Sequence, residues 1–192
     1  MAAAKRAFDL AGASLALLLL ALPMAAIALW IRADSPGPAL YRQERVGRGG
    51  RIFRIRKFRT MAADADRRGP PLTIGADPRI TRAGAWLRRT RLDELPQVVN
   101  ILRGEMSLVG PRPERPEFVE QLAATLPFYR ARHSVRPGLT GWAQVQYHYG
   151  RTAEDARIKL EYDLYYVRHM APLLDMQILF RTIAIALQMQ GS

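Results

Sequence analysis

Residues Leu10–Ile31 read LAGASLALLLLALPMAAIALWI, twenty-two positions without one charged side chain. As a helix this stretch would be about 33 Å long, close to the ~30 Å hydrocarbon thickness of a bilayer. A membrane helix is therefore the first expectation. Pro23 stands inside it, and an interior proline deletes one helix hydrogen bond and bends the axis. The part before it, Leu10–Leu22, would reach only about 20 Å and cannot cross alone. Lys5 and Arg6 precede the segment, and Arg32, Arg42, Arg45 and Arg48 follow it. Cytoplasmic flanks carry the excess of Lys and Arg, so both ends are drawn to one face. A straight crossing and a re-entrant hairpin bent at Pro23 both remain open, and the proline and the flanks favour the hairpin. A cleavable secretory leader fits less well, because its apolar core is shorter and Trp30-Ile31-Arg32 offers no small-residue exit.

Outward from this segment, Ser35-Pro36-Gly37-Pro38 stops any helix. It divides the chain into residues 1–34, the membrane helix with its flanks, and residues 35–192, one domain; 192 residues are too few for two well-cored domains. Ala39–Val46 and Arg51–Arg59 predict two strands joined by the glycine-rich turn Gly47-Arg48-Gly49-Gly50. Helices are expected over Ala83–Arg89, over Asp93–Arg103 up to Gly104, and over Pro116–Leu126, Ala153–Met170 and Pro172–Met189. Pro70-Pro71 punctuates a loop. The final helix is apolar on more than one stripe, which suits a core position or the membrane interface. The fold class expected is α+β: a helix-rich, membrane-associated domain with a small strand component.

The chain has no cysteine, which removes disulfides, zinc–thiolate sites and a thiol nucleophile. Its formal charge of +12 calls for an anionic partner, whether nucleic acid, a membrane face or a phosphorylated substrate. The arginines are scattered over short motifs and not gathered in one run, which disfavours nucleic acid. A membrane-anchored binding module would explain the charge and the apolar helix. It would not explain Asp93-Glu94, two adjacent carboxylates inside the basic string Leu87-Arg88-Arg89-Thr90-Arg91-Leu92-Asp93-Glu94-Leu95-Pro96-Gln97.

That pair has a purely architectural reading: Asp93 as the N-cap of a helix, Glu94 in its first turn, and Pro96 tolerated there. The same geometry also suits chemistry. A carboxylate at the positive end of a helix, beside arginines, stays ionised and can bind a divalent cation or attack phosphorus. Lys57 and Arg59 in Lys57-Phe58-Arg59-Thr60-Met61, and Arg112 held between two prolines, are candidate phosphate ligands. A guanidinium on a rigid backbone loses little freedom on binding. His133, His148 and His169 lack metal-ligand spacing and read as structural, and there is no Walker or Rossmann glycine loop.

Taken together, these strings resemble the bacterial sugar transferase family, the monotopic polyprenyl-phosphate phosphoglycosyltransferases. The resemblance runs in order from Lys5-Arg6-Ala7-Phe8-Asp9 through Ser35–Tyr41, Lys57–Met61, Asp77–Thr81, Leu92–Gln97 and Met106–Pro113 to Arg136–Gln144 and Tyr162–Val167. It implies a domain resting on the cytoplasmic face of the bacterial inner membrane through a re-entrant helix. It also implies Mg2+, a UDP-sugar donor and a polyprenyl (undecaprenyl) phosphate acceptor, with UMP released. Asp93 would be the nucleophile and Glu94 its partner, both near the metal. Lys57, Arg59, Arg88, Arg112, Arg136 and Gln144 would bind phosphate or nucleotide, and Trp142 would either contact the nucleoside or pack internally. Membrane lipid is then a partner and nucleic acid is not, and an oligomer is compatible with the pattern. One departure is Leu22-Pro23, where the family is associated with Ser-Pro.

Overall fold

The computed structural model describes residues 2–65, 77–147 and 152–187. The loop expected at Pro70-Pro71, His148 and the end of the last helix at Met189 lie outside the described residues. The chain is helix-rich with two small sheets, as the pattern suggests.

Helix α1 runs over Ala2–Asp34 with Pro23 inside it. It is long and apolar enough to cross a membrane by length and composition. One stripe faces the rest of the molecule: Asp9, Ala13 and Ile31 are buried, and Ala16, Leu17, Met24, Ile27 and Ala28 pack against core residues. Steps of three and four residues keep these positions on one helix face. The remaining surface carries exposed Leu15, Leu18, Leu19, Leu22 and Leu29, of which Leu22 is 81% exposed.

Three polar clamps fix the first turns of α1. Lys5 Nζ meets Asp175 Oδ2 at 2.6 Å, and Arg6 donates to the carbonyls of Ile101 and Leu102. Asp9 Oδ1 accepts from Ser107 Oγ and the Leu108 amide. At the other end, Asp34 Oδ2 accepts from the Ala83 amide, and Trp30 meets Trp86 edge to face at 5.6 Å. Both ends of the apolar helix are therefore attached to one body.

Strands β1 (Leu40–Val46) and β2 (Ile52–Phe58) form the expected antiparallel hairpin. Helix α2 spans Arg82–Thr90 and is N-capped by Thr81 Oγ1. The single helix expected over Asp93–Arg103 is instead a 3-10 turn, Leu92–Gln97, followed by α3, Val98–Leu102. Asp93 is not its cap; Arg91 occupies the position before the turn, with φ 57°. This left-handed residue ends α2 by donating its N–H to the Arg88 carbonyl, and the Glu94 amide then donates to the Arg91 carbonyl. In 3-10 winding, residues three apart eclipse, so Leu92 and Leu95 fall on one side. Both pack against the core cluster of Ile31, Ala39, Phe58, Ala83 and Leu87.

Strands β3 (Ser107–Val109) and β4 (Gly138–Thr140) pair in parallel, an association across thirty residues that local pattern does not reveal. Helix α4 covers Pro116–Thr125, a 3-10 turn covers Tyr129–Ser134, and α5 covers Trp142–Gln146. Helix α6, Ala153–His169, opens with a reciprocal cap between Thr152 and Asp155, and α7 spans Pro172–Leu187. Asp175 and Ile178 of α7 are buried, while Leu173, Met176, Phe180 and Ile183 form an exposed apolar stripe on the other side.

Candidate active site

The 3-10 turn Leu92–Gln97 lays its leucines against a core cluster and leaves Asp93 and Glu94 to a group of cations brought by three other segments. Lys57 comes from the end of β2, Arg88 from the last turn of α2, and Arg112 from the segment after β3. Lys57 Nζ donates to Glu94 Oε1 at 2.6 Å. Arg112 Nη2 donates to the same oxygen at 2.5 Å, and its Nη1 donates to Oε2 at 3.2 Å. Burial pushes the Glu94 carboxyl up, but Arg112 and Lys57 outweigh burial and hold it well below the usual carboxylate range. Burial in turn lowers the Lys57 ammonium, opposed by Glu94.

Asp93 differs from its neighbour in every respect. It is half-buried and makes no hydrogen bond or ion pair among the described residues. Burial first, and the charge of Glu94 second, raise its pKa above the ordinary aspartate value, against Lys57, Arg112 and Arg88. The expectation that the basic surroundings alone settle its charge is thus refined: the cations are engaged mainly by Glu94. Arg88 stands by, its Nε donating to Thr60 Oγ1 at 2.9 Å. That contact needs α2 to lie directly on the Thr60 backbone, which Gly84 permits; a Cβ at Gly84 would fall 2.0 Å from the Thr60 carbonyl oxygen.

Arg112 sits on a strap, residues 109–114, that is held almost carbonyl by carbonyl. The carbonyls of Val109, Pro111 and Arg112 accept from Tyr166 Oη, the Gly138 amide and Arg132 Nη2. Those of Pro113 and Glu114 accept from Arg45 Nη1 and the Val46 amide. Gly110 donates its own N–H to the Thr140 carbonyl. Backbone groups so engaged fix the point from which the guanidinium reaches Glu94.

Other candidates lie elsewhere. Arg59 is buried and donates to the carbonyls of Ser35 and Pro36 and to Ser35 Oγ, fixing the exit from α1. Arg136 Nε donates to the Gly104 carbonyl at 3.0 Å. Gln144 Nε2 reaches the Leu139 carbonyl at 3.5 Å, and its Oε1 is buried without a partner. Trp142 stacks on Tyr165, with Arg181 over its ring. It helps to line a groove of about 390 Å³ with Ile158, Glu161 and Tyr162. His133 is buried, and His169 Nδ1 donates to the Tyr165 carbonyl at 2.9 Å. Sequence reasoning passed over Arg45 and Arg132 as site residues, since nothing local distinguishes them from surface arginines.

A family model described as bacterial sugar transferase matches residues 1–189. The chain belongs to the bacterial sugar transferase family. Its relatives in that family include the UDP-N-acetylgalactosamine-undecaprenyl-phosphate N-acetylgalactosaminephosphotransferase of Aeromonas hydrophila, 47% identical over 93% of this chain and 42% of that protein. The UDP-glucose:undecaprenyl-phosphate glucose-1-phosphate transferase of Escherichia coli K12 is 41% identical over 93% of this chain and 39% of its own length. The exopolysaccharide production protein PSS of Rhizobium leguminosarum is 44% identical over 93% of this chain and 92% of its own. The chain thus spans about two fifths of the length of the first two sugar transferases and nearly all of the third.

One carboxylate of the pair is free to hold a hard divalent cation. Asp93 has a carboxylate to offer, whereas both oxygens of Glu94 already accept from Lys57 or Arg112. No group of three or more His, Cys, Asp and Glu suited to a metal occurs among the described residues. Magnesium commonly takes one or two carboxylates, with phosphate oxygens and water in its remaining positions, and Asp93 is the carboxylate that could serve it.

Proposed function

We propose that this chain transfers a sugar 1-phosphate from a UDP-sugar to a polyprenyl phosphate, through a sugar-phosphoryl intermediate on Asp93. The observation that carries this reading is the division of labour in the acid pair: Glu94 holds two cations in place and Asp93 is left without a bond of its own. The names of the family relatives, which pair UDP-sugars with undecaprenyl phosphate, support the substrates.

An Asp93 carboxylate oxygen attacks the β-phosphorus of the donor. The bond from that phosphorus to the bridging oxygen breaks, and UMP leaves with the oxygen. A phosphate oxygen of the polyprenyl carrier then attacks the same phosphorus, breaking its bond to Asp93 and giving polyprenyl-diphosphate-sugar. Glu94 preorganises Lys57 and Arg112, so that cationic groups stand ready where negative charge gathers. Magnesium, held by Asp93 and the diphosphate, would supply Lewis-acid neutralisation of that charge. Desolvation raises the Asp93 carboxylate, and a more basic carboxylate is the better nucleophile once ionised.

Position supports the lipid acceptor. Leu92 and Leu95 flank the dyad and pack against the core cluster that also holds Ile31 of α1, so the attacking carboxylate lies on the body to which the apolar helix is attached. In our reading α1 is re-entrant: both ends attach to one body on the cytoplasmic face, and the exposed middle turn at Leu18–Leu22 enters the lipid. Trp30 and Trp86, about two fifths exposed, would sit at headgroup level, and the apolar stripe of α7 would lie in the interface. The test is UMP release from a panel of UDP-sugars by membrane-embedded protein with undecaprenyl phosphate and magnesium. One donor should release UMP, and Asp93→Asn should abolish the release. A folded wild-type protein that releases none from any donor contradicts the reading.

A further inference from the structure

Behind Arg112 lies an ion pair that takes no part in the scheme above. Arg132, on the 3-10 turn Tyr129–Ser134, donates from Nε at 3.0 Å and from Nη2 at 2.6 Å to Asp163 Oδ2 on α6. Both side chains are almost wholly enclosed, 6% and 3% exposed. Two further donors of Arg132 are engaged: Nη2 bonds the Arg112 carbonyl at 2.9 Å and Nη1 reaches Tyr129 Oη at 3.2 Å, with the guanidinium 5.2 Å from the Tyr129 ring centre. The pair thus joins α6 to the backbone of the one residue whose side chain forks onto Glu94.

A buried ion pair is poor evidence of stabilisation. Taking two charges from water carries a large penalty that their attraction roughly offsets, and well-packed apolar replacements are often neutral or better. What such a pair supplies is a fixed position with directed donors. Here the direction is specific: Arg132 Nη2 divides itself between Asp163 and the Arg112 carbonyl. A lysine in its place has no planar fork and could not hold both with the same geometry. The Tyr129 hydroxyl, pushed up to about 12 chiefly by burial, stays protonated beside it.

We propose that Asp163 and Arg132 are positioning residues that fix Arg112 for the donor's diphosphate. This rests on the reading of the site as a sugar-nucleotide site. Neither residue touches substrate; each acts through Arg112. The segment carrying Arg112 is also tied to the end of β1 by Arg45 and Val46, so loss of the pair leaves the strap attached but releases the carbonyl that sets the guanidinium's orientation.

The experiment is a double-mutant cycle on the full chain in detergent or nanodiscs, with UDP as the diphosphate probe in calorimetry and kcat/KM for the active UDP-sugar as the second readout. Arg132→Lys and Asp163→Asn should each weaken UDP about tenfold. They should lower kcat/KM about tenfold to a hundredfold, mostly through KM. In an Arg112→Ala background, neither should cost anything further. Arg132→Met with Asp163→Leu, chosen to keep the packing, should retain the thermal midpoint and still bind UDP weakly. Wild-type UDP affinity in Arg132→Lys would overturn the proposal. So would losses that multiply with that of Arg112→Ala, or full rescue of binding by the Met–Leu pair. A wild type that binds UDP but releases no UMP would overturn the reaction assigned to the site, and the cycle on UDP affinity would still decide the role of the pair.

Discussion

Asp93 and Glu94 are neighbours in the chain whose environments push their carboxyls apart, the usual mark of a division of roles. Glu94 is held down by Arg112 and Lys57, while burial and Glu94 itself raise Asp93. If ionised Asp93 is the attacking group, the acid limb of the kcat/KM profile should lie above the ordinary aspartate value of about 4. Glu94→Gln removes a charge that raises Asp93 and frees two cations that lower it. The limb should therefore move to lower pH while the plateau rate falls, as a pH series on both proteins will read. A second titration concerns stability. Burial first, then Arg132 and Arg130, lower His133 from 6.5 to about 4. The unfolded chain then binds a proton that the folded chain refuses, so stability is lost as pH falls from about 6.5 toward 4. His133→Phe, which keeps a ring against Tyr129, should flatten that part of the thermal-midpoint curve. At this scale the acid pair was legible because two carboxylates among arginines are unusual. Of the cations named with it, Lys57, Arg88 and Arg112 stand beside the pair, whereas Arg59 turns to the carbonyls of Ser35 and Pro36, a difference that only tertiary structure sets.

At the scale of elements, the β1–β2 hairpin and helices α2, α4, α6 and α7 follow from turn glycines, prolines and apolar spacing, whereas the short α5, Trp142–Gln146, is not among the expected helices. The turn that carries Asp93 and Glu94 does not follow from them. Its capping signature suits an α-helix starting at Asp93, yet the left-handed Arg91 and the packing of Leu92 and Leu95 against the core cluster of Ile31, Phe58, Ala83 and Leu87 go with a 3-10 turn. The β3–β4 pair is hidden for a related reason: three-residue strands thirty positions apart have no local signal. Their contact explains the crowding of glycines around the Arg112 strap. A Cβ on Gly138 would fall 2.1 Å from the Gly110 nitrogen, with no side chain able to yield. Gly138→Ala is expected to cost about 1–3 kcal/mol by overpacking, read by denaturant unfolding. It should also weaken donor binding by shifting the strap, whereas Gly49→Ala, with nothing within 4 Å of its Cβ, should leave donor binding unchanged.

At the scale of the whole molecule, one fact organises the rest: the apolar helix α1 touches the body at both ends, through Lys5, Arg6 and Asp9 at one and Asp34 and Trp30 at the other. Because the chain has no native cysteine, single cysteines can report topology directly. Ala3→Cys and Arg48→Cys should both react with an impermeant maleimide in inverted inner-membrane vesicles and both be protected in intact spheroplasts; labelling from opposite sides would require a straight crossing. The sequence pattern pointed to an apolar helix with basic flanks, but its attachment to two separate core clusters depends on long-range packing that no window of residues contains. The central claim is the covalent role of Asp93, and its most direct test is to mix the protein with the active UDP-sugar and magnesium in the absence of polyprenyl phosphate, quench, and measure UMP and intact mass. A covalent role predicts one UMP per active site and a matching sugar-phosphate mass added at Asp93, removed on adding the acceptor. UMP formed only when the acceptor is present, with no adduct, would contradict it and assign the transfer to a single displacement.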